Sequence, residues 1–214
     1  MTDTQKKPLW KNELVWLFLL TSGLFAILYS KFILGGYAYV FTDTGADTMQ
    51  INYAQYGLFS SLFRSRESGY VLQAGLGMDV SSYYPAYLIP YNLLILLAPQ
   101  RLLPWAVLAS AYLKMITISL VGYLFYRKLM QDGIGTMAAA LAWTFSGYVI
   151  LWGQHYGFCT CMALFTVFMY FLQCYLNGEQ RWKSAGLVIT VTMLLISSYY
   201  FLYMIAFFAV FYVF

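Results

Sequence analysis

The chain has 214 residues, of which 62% are apolar and 9% charged, where soluble domains carry roughly 25% charged residues. So few charges cannot cover a water-soluble globule. This excludes a soluble enzyme, a nucleic-acid binder and a disordered chain, and leaves the membrane class. The net charge is +4, and the positions of the basic residues inform more than the sum.

A crossing of a hydrocarbon core needs about 20 apolar residues. The first span is predicted over residues 14–34, broken only by Lys31 near its end. A long loop follows over 35–84. Residues 85–99 read as a re-entrant or interfacial segment: the apolar core, Ala86 to Ala98, contains Pro90 and is too short to cross. The second span is predicted over 102–126, with Lys114 about twelve residues in, so ~18 Å along the axis and near mid-bilayer. Gly133 to Gly178 holds no Asp, Glu, Lys or Arg and is too long for one crossing. It divides at Gly153-Gln154-His155-Tyr156-Gly157 into spans over 134–153 and 157–176. A fifth span is predicted over 185–205, and a sixth can start before the end. Leu187 to Phe214 is apolar to the last residue, so the chain is expected to be the N-terminal part of one longer multi-span domain. Cys159, Cys161 and Cys174 all lie in apolar runs and make no disulfide framework.

Basic residues orient this stack. Lys6, Lys7 and Lys11 precede span one, Arg127 and Lys128 follow span two, and Arg181 and Lys183 separate spans four and five. With these in the cytoplasm the five spans alternate without conflict. The expectation is a cell-membrane, multi-pass protein with a cytoplasmic N-terminus and an extracytoplasmic loop over 35–84. A loop of that length is usually functional.

The loop opens Phe41-Thr42-Asp43-Thr44-Gly45-Ala46-Asp47-Thr48-Met49-Gln50. If 43–63 is one α-helix, Asp43, Asp47, Gln50, Ala54, Gly57 and Ser61 share a stripe, and Tyr56, Phe59 and Phe63 take the opposite side. That describes an amphipathic helix on the membrane surface with two carboxylates aimed into a recess. Carboxylates one turn apart suit a general base or a divalent-cation site. The plainer reading makes Asp43 a helix cap and Asp47 a partner of the helix dipole.

An ammonium within a span usually faces a polar cavity and a partner, so Lys114 is a candidate contact for an anionic substrate group, against a purely structural lysine. His155, the single histidine, is a candidate third ligand or proton carrier, against a polar turn residue. Arg64 and Arg66 lie on the non-basic side of the predicted stack, with Arg101. They are candidate phosphate contacts, against solvated loop charges.

Several segments together resemble the bacterial YfhO membrane proteins. They are the loop opening just quoted, Gly75-Leu76-Gly77-Met78-Asp79, Tyr83-Tyr84-Pro85, Pro90-Tyr91-Asn92-Leu93-Leu94, Leu120-Val121-Gly122-Tyr123-Leu124-Phe125-Tyr126-Arg127 and Thr144-Phe145-Ser146-Gly147-Tyr148. That family looks like the GT-C glycosyltransferases. The resemblance implies an all-α, polytopic, GT-C-like bundle. It implies sugar transfer from a polyprenyl-phosphate donor to a cell-surface polymer such as teichoic acid. It implies Asp43 or Asp47 as catalytic base or metal ligand, and it leaves metal use open. Gln50, Lys114, Arg64, Arg66 and His155 are then the candidate substrate contacts. Two other functions compete: a transporter or flippase of a lipid-linked precursor, and a non-catalytic membrane assembly factor. Polar residues gathered in the loop rather than at the midplane favour the enzyme over the transporter.

Overall fold

The computed structural model describes residues 12–40, 48–66, 69–72, 77–81, 88–130, 132–179 and 181–214. The described chain is all-α but for one short hairpin. Helix α1 spans Glu13–Leu28 and α2 Ser30–Leu34. A π-helix, Thr48–Tyr53, runs into α3, Ala54–Ser65. Strands β1 (Tyr70–Val71) and β2 (Met78–Asp79) pair antiparallel, Tyr70 opposite Asp79. Then come α4 (Pro90–Leu97), a 3₁₀ turn (Gln100–Leu102), α5 (Leu103–Leu129), α6 (Gly133–Thr144), α7 (Gly147–Trp152), α8 (Tyr156–Leu176), α9 (Arg181–Ser197) and α10 (Tyr199–Val213).

Three stretches are long and apolar enough to cross a membrane: Gln100–Leu129, Gly133–Trp152 and Tyr156–Leu176. Shorter apolar helices are Glu13–Leu28 and Tyr199–Val213. Helix α5 is the central post. Its first turn carries Pro104, where the missing N–H is harmless. Val107, Ala111, Lys114, Met115, Ile118 and Gly122 lie along its buried side at helical spacing. Helix α1 runs antiparallel to it: Thr21 Oγ1 meets Ser119 Oγ at 2.7 Å and Ser22 Oγ meets Tyr112 Oη at 2.8 Å. Tyr123 donates to Glu13 at the far end of the same seam. In α1 the buried stripe is Leu17, Thr21 and Phe25, while Trp16, Leu19 and Leu20 stay exposed as lipid-facing residues do.

Asp132 caps α6 by accepting from the backbone N–H of Ile134 (3.2 Å) and Gly135 (2.6 Å), which fixes the α5–α6 hairpin. Helix α8 lies parallel to α5. Helix α9 packs against α8 so closely that a Cβ on Gly186 would fall 2.5 Å from the Phe171 ring. Gly178, at φ +68°, makes the turn between them. Helix α10 runs parallel to α8, with Phe158 on Phe201 at 5.0 Å, Phe165 on Phe208 at 5.6 Å, and Tyr212 donating to Gln173. The chain therefore reverses at Ser198, which accepts from the Phe201 N–H at 3.5 Å. Residues 185–205, read from sequence as one span, are the end of one helix and the start of the next.

The helix ends fall into two sets. Arg127, Lys128, Glu179, Arg181 and Lys183 mark the basic end. The other, the loop end, carries α2, α3, α4 and the hairpin. Helix α4 is only eight residues, about 12 Å, which is short of a hydrocarbon core; it packs on α3 and α5. Helix α3 buries Tyr56, Phe59, Ser60 and Leu62. Ser60 donates to the Ala98 carbonyl (2.8 Å), and Gln100 donates to the Gly57 carbonyl (2.9 Å). The hairpin closes against itself: the Tyr70 ring covers Gly77, whose φ of +109° and lack of room for a Cβ both require glycine. Asp79 accepts from the Ser81 N–H at 3.0 Å and from its hydroxyl, which holds its carboxyl below the usual range.

Glu179 closes the basic end. It accepts from Lys128 of α5 and from Lys183 of α9, so one carboxylate joins two helices across the α8–α9 turn. These bonds lower its pKa to about 2, from an ordinary value of 4.5. The depressed value places the stabilisation above the unfolded pKa, and it fades as pH falls through the folded one. Glu179→Gln should lower the thermal unfolding temperature at pH 7, and the gap to wild type should close between pH 4.5 and about 2. A gap that is constant over that range would remove the ion triad as its cause.

Candidate functional site

At the loop end, polar side chains are buried among aromatic rings rather than turned to solvent. Tyr156, the first residue of α8, is the hub. Its hydroxyl donates to the Tyr39 carbonyl, and its own carbonyl accepts from Lys114 Nζ at 3.1 Å and from Thr160 Oγ1 at 3.1 Å. Its ring stacks on Tyr56 of α3, with centroids 5.3 Å apart and planes 13° from parallel. Tyr56 in turn donates to Asn92 of α4 at 3.2 Å. Tyr39 and Tyr29 hydroxyls approach to 3.4 Å, and their rings pack edge to face. Loop helix, interfacial helix and two spans thus meet at one residue.

Lys114 is 2% exposed. Its one hydrogen bond among the described residues is to the Tyr156 carbonyl, and no ion pair reaches it. An ammonium has three N–H donors. Helix α8 has 21 residues, about 30 Å, which matches a hydrocarbon core. Lys114 bonds to the carbonyl of the first residue of that helix. Helix α5 starts eleven residues before Lys114, and about 16 Å of it precedes that contact and packs against α4.

Asp43 and Asp47 lie outside the described residues. The residues nearest them are firmly held on both sides: Tyr39 is 1% exposed and Thr48 is 0% exposed. The Thr48 hydroxyl has no hydrogen-bond partner among the described residues. Gln50 is helical, and its side chain lies outside the described set. The assumed single α-helix over 43–63 does not hold. Residues 48–53 form a π-helix, whose wider turn does not keep the 100° step of an α-helix. The stripe is therefore continuous only from Ala54 onward. Within α3 the buried side is the expected one, except that Phe63 is exposed.

Arg64 is exposed, and its Nε donates to the Ser60 carbonyl of its own helix at 3.2 Å. Arg66 is exposed at the α3 C-terminus, in the left-handed region at φ 57°. His155 precedes α8, with its ring 5.5 Å from Trp152 and stacked 5.2 Å from Phe158. Among the described residues, no three His, Cys, Asp or Glu side chains gather as a metal site. Beside the hub, Leu28, Tyr29, Phe32, Ile150, Leu151 and Gln154 line a cavity of about 380 Å³ between α1, α2 and α7.

Tyr29, Tyr39, Tyr56, Asn92 and Tyr156 were not singled out from sequence. The chain has 21 tyrosines, and neither helical periodicity nor spacing separates these from residues of the interfacial belt. The position of Tyr156, next to the one histidine and at the break between spans, was the available signal.

Replacing a buried charge by an apolar isostere is often neutral or stabilising when no partner charge is stranded. Lys114→Met in the full-length protein should therefore accumulate in the membrane at or above the wild-type level, measured by quantitative immunoblot. A collapse in accumulation would make the ammonium a structural strut.

Residues 17–214 match the family model for the bacterial membrane protein YfhO. No curated protein and no solved structure matches the chain. The YfhO family is associated with membrane glycosyltransferase-like proteins. Coverage of nearly the whole chain, together with a bundle of apolar helices, makes this a membrane protein that belongs to the bacterial YfhO family.

Proposed function

We propose that this chain carries the donor-binding end of a GT-C-like glycosyltransferase that moves a sugar from a polyprenyl-phosphate donor to a cell-surface polymer such as teichoic acid. One observation carries the reading. Tyr156 bonds through its carbonyl to the Lys114 ammonium and through its hydroxyl to the backbone at Tyr39, four residues before Asp43. A cation suited to a lipid phosphate is thereby tied to the entry of the acidic segment. The neighbouring cavity, apolar except for Tyr29 and Gln154, offers room for the first isoprene units at the membrane edge.

The reaction needs little more. Asp43 or Asp47 takes the proton of the acceptor hydroxyl. The acceptor oxygen bonds to the anomeric carbon as the bond from that carbon to the phosphate oxygen breaks. The polyprenyl phosphate leaves with the electron pair, and Lys114 offsets its growing charge. Arg64, Arg66, Gln50 and His155 are the further substrate contacts in this reading, and a divalent cation held by Asp43 and Asp47 would share the offsetting role. Arg127, Lys128, Arg181 and Lys183 at the basic end support a cytoplasmic position for that end and an extracytoplasmic one for the site.

One observation favours the flippase reading. The helix over 133–152 breaks at Phe145-Ser146, with the Ser146 hydroxyl buried and unpartnered among the described residues. Broken helices are common in transporters. The buried polar cluster, however, gathers at the start of α8 beside the loop helix, and this favours sugar transfer.

Loss of a positioned general base lowers a rate by about 10²–10⁴-fold. Asp43→Asn or Asp47→Asn in the full-length protein should reduce polymer glycosylation to that extent, with protein level unchanged. Asp132→Asn is the control, because asparagine caps a helix about as well as aspartate. Normal glycosylation by the double amide variant would leave the flippase or assembly-factor reading in its place.

A further inference from the structure

On α8, α9 and α10 the exposed tryptophan and tyrosine side chains fall at the helix ends. At the loop end they are Tyr199, Tyr200 and Tyr203, all in the first turns of α10 and each more than half exposed. At the basic end they are Tyr175 in the last turn of α8 and Trp182 at the start of α9. Between the two sets the exposed side chains include Val188, Ile189, Leu195, Met204 and Phe207. No exposed tryptophan or tyrosine lies between them among the described residues of these helices.

This order has a physical cause. Tryptophan and tyrosine carry an apolar body and a polar tip, so they collect where one side is hydrocarbon and the other is wet. Aliphatic side chains and phenylalanine have no polar tip to satisfy and suit the hydrocarbon itself. The spacing agrees: Tyr156 to Tyr175 is nineteen residues, about 29 Å along α8, and a hydrocarbon core is ~30 Å thick.

Ring contacts fix the level of the loop-end set. Phe201 packs on Phe158 at 5.0 Å and Tyr200 on Phe201 at 5.7 Å, which brings the start of α10 beside the first turn of α8. The half-exposed Trp152 reaches the same level through His155, at 5.5 Å. The Tyr156 carbonyl that holds Lys114 Nζ belongs to that turn. Trp105, about 14 Å nearer the start of α5 than Lys114, stands on the outer side of this level.

We infer that the two aromatic sets lie in the two headgroup layers of a bilayer and that lipid chains cover the apolar face of α9 and α10 between them. The Lys114 ammonium then sits at the depth of the loop-end lipid phosphates and not at mid-bilayer, where its place in the span alone would put it. The placement stands whatever reaction occurs at the loop end, and its test does not use sugar transfer.

The test is electron paramagnetic resonance of spin labels on single cysteines in the full-length protein, reconstituted in phosphatidylglycerol–phosphatidylethanolamine vesicles. Cys159, Cys161 and Cys174 are buried and stay in place; wild type labelled in parallel gives the background. Oxygen gathers in hydrocarbon, whereas a polar nickel chelate stays in water, so the ratio of their collisions reads depth. Ile189→Cys, about 11 Å from Trp182 along α9, should give a ratio several-fold above those of Tyr199→Cys and Tyr175→Cys. Gly157→Cys probes the level of the Lys114 contact, because Gly157 follows Tyr156 and a Cβ there meets nothing within 4 Å. Its ratio should match that of Tyr199→Cys. A ratio at position 157 as high as at 189 would return Lys114 to mid-bilayer and overturn the placement. A label at 189 shielded from both reagents would also overturn it, since protein would then cover the face. If Gly157→Cys does not accumulate, Leu113→Cys, exposed beside Lys114, decides in its place.

Discussion

Tyr156 joins the loop end together because it uses both of its oxygens on different partners. Its hydroxyl takes the backbone at Tyr39, and its carbonyl takes Lys114 and Thr160. A carbonyl in the first turn of a helix normally accepts from the backbone four residues on. Here it also carries an ammonium and a threonine hydroxyl. The ring adds a flat apolar face for Tyr56, so α3 settles onto the start of α8. Without this residue the loop helix would keep its contacts to α4 and the 3₁₀ turn but lose its tie to α8.

The rest of the bundle is arranged so that this junction can exist. Helix α5 extends past the start of α8, and the surplus length carries α3 and α4. Small hydroxyl pairs, Thr21 with Ser119 and Ser22 with Tyr112, set the register of α1 against α5. That register delivers Tyr29, stacked on Phe25, to the Tyr39 ring. At the opposite end Glu179 fixes α5 to α9. Between these two polar ends the helices meet mainly through apolar contacts and small residues, as expected where lipid supplies no hydrophobic drive to association.

Much of this was legible in the sequence because it depends on composition and length. Three helices long and apolar enough to cross, Gln100–Leu129, Gly133–Trp152 and Tyr156–Leu176, follow from the size of a hydrocarbon core. So does the membrane class. What was not legible depends on local departures from ideal geometry. The π-turn at Thr48–Tyr53 shifts a helical phase that a fixed 100° step assumes is constant. The reversal at Ser198 uses one serine cap within an unbroken apolar run. The tyrosine cluster assembles from residues 29, 39, 56 and 156, and of these only Tyr156, beside the one histidine, carries a local signal. The acidic pair, Asp43 and Asp47, remains a reading of sequence and family resemblance.

The central claim is that the Tyr156 hydroxyl anchors the entry to the acidic loop. The most direct measurement is amide hydrogen exchange at Val40, whose N–H donates to the Ala38 carbonyl at 2.8 Å beside that anchor, in wild type and in Tyr156→Phe. The substitution keeps the ring and the carbonyl and removes only the hydroxyl. One buried hydrogen bond contributes roughly 0.5–1.5 kcal/mol, so exchange at Val40 should rise by about 2- to 12-fold. Amides in the middle of α8 should not change. Unchanged exchange at Val40, with the variant folded and its α8 amides protected, would contradict the anchor and with it the coupling of the loop to Lys114.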